Sequence, residues 1–206
     1  MCGIVGYVGQ RDAAAVILDG LKRLEYRGYD SAGLAVAAGD VLHVRRAVGR
    51  IGSLEEVVRD RPAPGVVGIG HTRWATHGRP CEENAHPHRD CDGTLVVVHN
   101  GILENYVELK QRLLHAGHVF RSETDTEVLA HLVEEEVARG HDLRTAVTAA
   151  LRHVRGAYAV GVMSMAAPDR LVVAKRGAGS VVVGVGRGET FVASDVPALL
   201  PYTRDV

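Results

Sequence analysis

The sequence predicts an α+β domain in which antiparallel sheet and helices form separate layers. Two observations carry this. Short apolar runs joined by tight turns occupy both ends of the chain, and three helical patterns are gathered in one stretch between residues 102 and 154. No internal repeat, low-complexity segment or linker divides the 206 residues, so residues 1–206 are expected to form one domain.

The elements follow in order. Ile4, Val5, Tyr7 and Val8, interrupted by Gly3, Gly6 and Gly9, read as a short buried strand. Asp12 is placed to cap a helix whose positions Val16, Ile17, Leu21 and Leu24 share one face, with Gly28 near its end. Residues 34–38 and 41–44 are apolar runs separated by Gly39 and Asp40, a tight hairpin. Residues 49–65 read as an exposed helix or loop ending in a turn at Pro62, Pro64 and Gly65. Residues 66–70 and 94–98 are buried strands, each running into a polar, glycine-containing loop of the kind on which sites are built. Helices are predicted at 102–116, at 124–139, where Thr124 and Glu127 have capping-box spacing, and at 143–154. Strands return at 157–163, 171–174, 180–185 and 190–193, with turns at Pro168-Asp169 and Arg187-Gly188.

With 46% hydrophobic residues the chain can bury one substantial core, and a formal net charge of −1 argues against a nucleic-acid or membrane surface driven by bulk charge. No apolar run approaches the ~18 residues of a membrane span, and the first residues are too short and lack the basic flank of a secretion signal. A cytoplasmic protein is expected. Its three cysteines, Cys2, Cys81 and Cys91, form no disulfide framework, in keeping with a reducing compartment.

The chemistry centres on the chain start. Trimming of Met1, which the small side chain of Cys2 permits, would leave a cysteine carrying both a thiol and a free α-amine. The amine titrates near ~7.7–8.0 and the thiol near ~8.5, so amine can draw the proton from sulfur as it attacks a carbonyl. Three other places hold polar groups. Residues 71–78 surround the sole tryptophan, Trp74, and include Arg73, which could hold a carboxylate in two parallel bonds or belong to a solvated loop. Asn100 and the backbone N–H of Gly101 could form an oxyanion hole, although the same dipeptide is a common turn. Asp125 sits in the first turn of a helix, where the dipole favours a carboxylate and simple capping is the plain role. Cys81, His86, His88 and Cys91 resemble a zinc clip, but they lack a closely spaced cysteine pair and Pro87 restricts how both histidines turn inward, so no metal is expected. The remaining histidines are expected at the surface or the core edge. The glycine pairs between the late strands lack the strand and helix context of a dinucleotide loop.

The motifs CGIVGY at the start, LEYRGYDSAG at 24–33, GHTRWATHG at 70–78, NAHPH at 84–88, VVHNGILENY at 97–106, SETDTEV at 122–128 and ASDVPAL at 193–199 cover most of the chain. Together they resemble the glutaminase domains of class II glutamine amidotransferases, members of the N-terminal-nucleophile hydrolases, and most closely those of the glucosamine-6-phosphate synthase family. The resemblance implies a four-layer αββα sandwich. It also implies that Cys2 attacks the side-chain amide of L-glutamine to form a thioester and release ammonia, with Asn100 and Gly101 holding the oxyanion. Arg73 would bind the substrate carboxylate and Asp125 its ammonium, with Thr76 and His77 lining the pocket. Trp74 would lie in a loop that closes over glutamine, and Arg27 and Gly28 would support the nucleophile. No cofactor is implied.

The family continues into two sugar-isomerase domains that bind fructose 6-phosphate, in an enzyme expected to be a homodimer, and nothing in this sequence corresponds to them. The chain also stops earlier than the family's glutaminase domain, so its last strands are expected to be missing, and Val181 replaces a usual proline after Ser180. Another class II amidotransferase, a non-catalytic glutamine-binding module that would not need Cys2, and a zinc-stabilised interaction domain are the alternatives.

Overall fold

A computed structural model of the chain describes residues 2–74, 78–177 and 179–206. Strand β1 (Gly3–Val8) leads into helix α1 (Ala13–Arg23), a 3-10 turn at Glu25–Arg27, and the hairpin β2 (Ser31–Ala38) and β3 (Val41–Val48). Helix α2 (Ile51–Asp60), β4 (Val67–Arg73), the two-residue β5 (His88–Arg89) and β6 (Leu95–Gly101) follow. Helices α3 (Tyr106–His115), α4 (Thr126–Ala138) and α5 (Leu143–Leu151) precede β7 (Tyr158–Ser164), β8 (Val172–Arg176), β9 (Val182–Gly186), β10 (Glu189–Ala193) and a 3-10 turn at Val196–Ala198. One sheet has the order β3-β2-β4-β1-β10-β9 and the other β5-β6-β7-β8, with every pairing antiparallel.

Period-two side-chain alternation explains the layers. Val5, Tyr7, Leu34, Val36 and Phe191 point from the six-stranded sheet toward Ile17, Leu21 and Leu54 of α1 and α2. Their neighbours Ile4, Ala35 and Ile69 point the other way and meet Val96, Val98 and Met163 of the second sheet. Leu95, Val97, Val160 and Val162 cover the outer face of that sheet, against Leu113, Leu129, Val133 and Val147 of α3, α4 and α5. Both faces of the central strands are therefore dry, while β3, β8 and β9 stay partly exposed, and the central strands read as continuous apolar runs although they are antiparallel. The result is the expected helix-sheet-sheet-helix stack. Among the described residues no helix is long and apolar enough to cross a membrane.

The helix read within residues 49–65 is present, although it is not exposed throughout, since it buries Ile51 and Leu54. Two other local readings change. Helix α3 starts at Tyr106, four residues later than the periodicity suggests, because the Leu103 N–H is taken by the Asp125 carboxylate at 2.9 Å. The capping box at Thr124 is not formed. Glu127 turns its carboxylate back to the N–H groups of Arg121 (2.8 Å) and Ser122 (2.7 Å), and the Thr124 hydroxyl goes to His88 at 3.0 Å. Two donors closer to the carboxylate outcompete the Thr124 N–H, which Ser122 Oγ satisfies instead at 3.3 Å.

Candidate active site

Cys2 sits at the head of β1, between β4 and β10 in the middle of the six-stranded sheet. The pairing Gly3 to Thr72 sets it beside Arg73 and Trp74. The strand start is tied on its other side by Ile4, whose N–H donates to Ser194 Oγ at 3.0 Å and whose carbonyl accepts from Ser194 N at 2.9 Å. The Cys2 carbonyl accepts two side-chain bonds, from Arg27 Nε (3.1 Å) and from Asn100 Nδ2 (3.0 Å). Its sulfur accepts from the Trp74 N–H at 3.2 Å. The nucleophile candidate is thus anchored through its backbone.

Each support is itself held. Arg27 is buried and pairs with Asp195 at 3.0 Å, and Asp195 also accepts the Tyr26 hydroxyl at 2.7 Å. That hydroxyl and the guanidinium hold the Asp195 carboxyl below its usual range. Gly28 is extended and lies so close to the next strand that a Cβ there would fall 2.8 Å from the Arg73 carbonyl carbon and 3.0 Å from Trp74 N. On the second sheet, β6 delivers Asn100, whose Oδ1 accepts from His71 Nε2 at 3.0 Å. His71 Nε2 also faces the His99 carbonyl at 3.1 Å, so with two acceptors in front of it this nitrogen carries the proton. The Asn100 amide is thereby locked with its NH2 toward Cys2. One of its N–H bonds is spent on the Cys2 carbonyl and a second remains. Gly101 has φ +141°, and a Cβ there would lie 2.2 Å from the Ala157 carbonyl oxygen, so only glycine fits.

Cys2, Arg27, Arg73, Trp74, Asn100, Gly101 and Asp125 all line one cleft of about 480 Å³. Arg73 and Asp125 are both buried and bring opposite charges to it. Arg73 donates to the Gly78 carbonyl at 3.1 Å. Asp125 does not cap α4; it accepts the Leu103 N–H, and a carboxylate retains further acceptor sites. Trp74 is half exposed at the rim, edge-on to Tyr29 with ring centres 5.5 Å apart. Thr76 and His77 lie outside the described residues.

The electrostatics identify which group can serve as base. Burial pushes the Cys2 thiol up, against the opposing pull of the Trp74 N–H, so sulfur is a protonated thiol near neutrality. The imidazoles near it are poor bases. Burial lowers His71 to about 3 and His99 to about 4, and holds His86 well below the ordinary range. A freed α-amine on Cys2 is the stronger base by several units.

The histidine readings require correction. His71 and His99 are buried, not at the core edge, and so are His86 and His88, whose rings meet edge to face at 4.7 Å. Pro87 does not keep both from turning inward, and the proposed clip is not assembled. His88 bonds Thr124, His86 packs on His71, and Cys91 lies against His118 and His131. The sequence reading missed the roles of Tyr26, Asp195, His71 and His99. Each stands inside one of the quoted motifs, which was the available signal.

A family model described as a glutamine amidotransferase domain matches residues 71–201. Over its whole length the chain is 59% identical to the glutamine–fructose-6-phosphate aminotransferase (isomerizing) of Thermus thermophilus and 54% identical to that of Thermococcus kodakarensis. It spans 33% and 34% of those proteins, about a third of the curated relatives it matches. In fold it resembles the glutamine phosphoribosylpyrophosphate amidotransferase of B. subtilis, with a TM-score of 0.83 and 31% identity over 98% of this chain and 44% of that one. The shared architecture and the match across more than half of the residues place the chain in the glutamine amidotransferase domain family.

Proposed function

We propose that this chain hydrolyses the side-chain amide of L-glutamine. Once Met1 is removed, the Cys2 α-amine takes the thiol proton as sulfur adds to the amide carbon. The tetrahedral oxyanion is met by the Asn100 amide and the Gly101 N–H. Return of the proton to nitrogen breaks the C–N bond, releasing ammonia and leaving a γ-glutamyl thioester that water hydrolyses to glutamate. Arg73 holds the substrate α-carboxylate and Asp125 its ammonium, with Thr76 and His77 completing the pocket and Trp74 closing over it. No cofactor is called on. The observation that carries this reading is the convergence of Cys2, Arg73, Asn100, Gly101 and Asp125 on one cleft from four separate regions of the sequence. Intact-mass spectrometry after treatment with a glutamine-analogue alkylator tests it. The expected product has lost Met1 and gained one adduct on Cys2; a processed chain that stays unlabelled at saturating reagent overturns the reading.

In the wider reading the ammonia serves conversion of fructose 6-phosphate to glucosamine 6-phosphate by sugar-isomerase domains of a longer, cytoplasmic, homodimeric enzyme. Identity at 54% and 59% of the residues to aminotransferases named for fructose 6-phosphate supports that assignment.

Gly28→Ala should lower kcat/KM for glutamine roughly 10- to 100-fold, because its methyl displaces the Arg73–Trp74 backbone that faces both sulfur and substrate. Steady-state ammonia release with an unchanged far-ultraviolet circular dichroism spectrum is the measurement. Wild-type kinetics would show that the close approach has no part in positioning.

A further inference from the structure

Away from the cleft, on the outer helical layer, four metal-ligating side chains converge. We propose that Cys91, His118, His131 and Glu134 form a zinc-binding site that clips three segments of this layer together. One ligand atom from each lies within 4.8 Å of every other. Cys91 Sγ is 3.6 Å from His118 Nδ1 and 3.6 Å from His131 Nδ1. A tetrahedral zinc ion with bonds of about 2.3 Å to sulfur and 2.0–2.1 Å to nitrogen sets sulfur and nitrogen about 3.6 Å apart. Glu134 Oε2 lies 3.0 Å from His118 Nδ1 and 2.8 Å from His131 Nδ1, hydrogen-bond distances that must open by a few tenths of an ångström around an ion. Thiolate and carboxylate together neutralise a divalent cation. The mixed sulfur, imidazole and carboxylate set favours zinc over magnesium or calcium.

The framework around the four is built to hold them. Asp90 accepts from Thr94 Oγ1 and Leu95 N, both at 3.0 Å, closing the turn that presents Cys91. The Cys91 N–H donates to Glu134 Oε1 at 3.3 Å, fixing the carboxylate oxygen that does not face the cluster. His131 and Glu134 lie three residues apart on one face of α4. His118 follows Gly117, whose φ of +97° ends the turn after α3.

A second observation concerns the far sides of the imidazoles. In the hydrogen-bonded cluster each Nδ1 faces the Glu134 carboxylate as a donor, and in a neutral imidazole that leaves Nε2 as an acceptor. Yet His131 Nε2 is buried without a hydrogen-bond partner, and the polar atom in front of it is Glu127 Oε1 at 3.9 Å. His118 Nε2 likewise faces Glu135 Oε1 at 3.8 Å. Acceptors pointed at carboxylates are mismatched. Metal on Nδ1 moves each proton to Nε2 and turns both mismatches into the imidazole–carboxylate pairs that commonly orient zinc ligands. His131 is buried while His118, Cys91 and Glu134 are partly exposed, so an ion can reach the site from solvent. Sequence spacing could not show this, because the ligands come from three separate turns of chain.

The test uses the full-length protein with Cys2 blocked by alkylation, stripped with chelator and re-equilibrated with zinc or with cobalt(II). The wild type should retain one zinc per chain more than a Cys91→Ser/His118→Gln variant. Its cobalt form should show tetrahedral d–d absorption and a thiolate-to-cobalt charge-transfer band that the variant lacks. At zinc about 100-fold above its Kd, the thermal midpoint of the wild type should rise by roughly 5–10 °C. Before blocking, the variant should hydrolyse glutamine like the wild type, which shows that it is folded; His118→Gln alone serves if it is not. Equal zinc in wild type and variants, or an octahedral cobalt spectrum without the thiolate band, overturns the proposal and leaves the glutaminase reading untouched.

Discussion

Replacing Cys2 with alanine should lower ammonia release by about 10⁴-fold or more while glutamine binding stays within about threefold. The loss is large because, among the described residues, no other group in the cleft can substitute. The imidazoles of His86 and His99 that line it are neutral and weakly basic, and no second thiol is among the described residues along its wall. Binding should survive because the bonds from Arg27 and Asn100 reach the Cys2 carbonyl, not its side chain, so alanine leaves the strand start in place. Arg73 and Asp125, proposed to address the two ends of the amino acid, are likewise untouched. Calorimetric titration of the variant with glutamine, set beside an ammonia assay, separates the two effects. Residual turnover near that of the wild type would remove Cys2 from the chemistry. Loss of binding together with turnover would mean that the sulfur organises the pocket as well as reacting.

The second large effect is on stability in mild acid. His71, His86, His88 and His99 are buried and held neutral by desolvation, His71 down to about 3 and His99 to about 4. In the unfolded chain a histidine protonates near ~6.5. Between that value and the folded one, only the unfolded state binds the proton, so stability falls as pH drops, at about 1.4 kcal/mol per pH unit for each such histidine. By pH 5, His71 and His99 together account for about 4 kcal/mol, a large share of the ~5–15 kcal/mol typical of a domain. The urea midpoint should therefore drop steeply between pH 7 and pH 5, with a net uptake of at least two protons on unfolding. A midpoint flat across that interval would mean that these imidazoles are already charged in the native protein.

Much of this was written locally. The short apolar runs of residues 4–8, 34–38 and 94–98 identify strands, and Gly39 with φ +54° makes the hairpin that its place in the sequence suggests. The cleft was legible for a different reason: Cys2, Arg73, Asn100 and Asp125 each fall in a motif, and the fold brings those motifs together. What stayed hidden was decided by long-range competition. Thr124 gives up its cap to neighbours in the turn before it, and Leu103 is drawn off the start of α3 by a carboxylate 22 residues away. The burial of His71 and His99 depends on the facing sheet, which no local pattern records. Cys91 found its partners at 118, 131 and 134, outside the window in which ligand spacing could be read.

The grip on the first strand has a practical corollary. Because Gly3 is registered to Thr72, a chain with one extra leading residue could not absorb it by slipping along the sheet; a single-step shift would send Ile4 to the helix side and Val5 to the facing sheet. A residue added ahead of Cys2 would instead extend past the registered end of β1, beside the cleft that Cys2 lines. Purification handles for this protein therefore belong elsewhere than at its front if the cleft is to work as proposed.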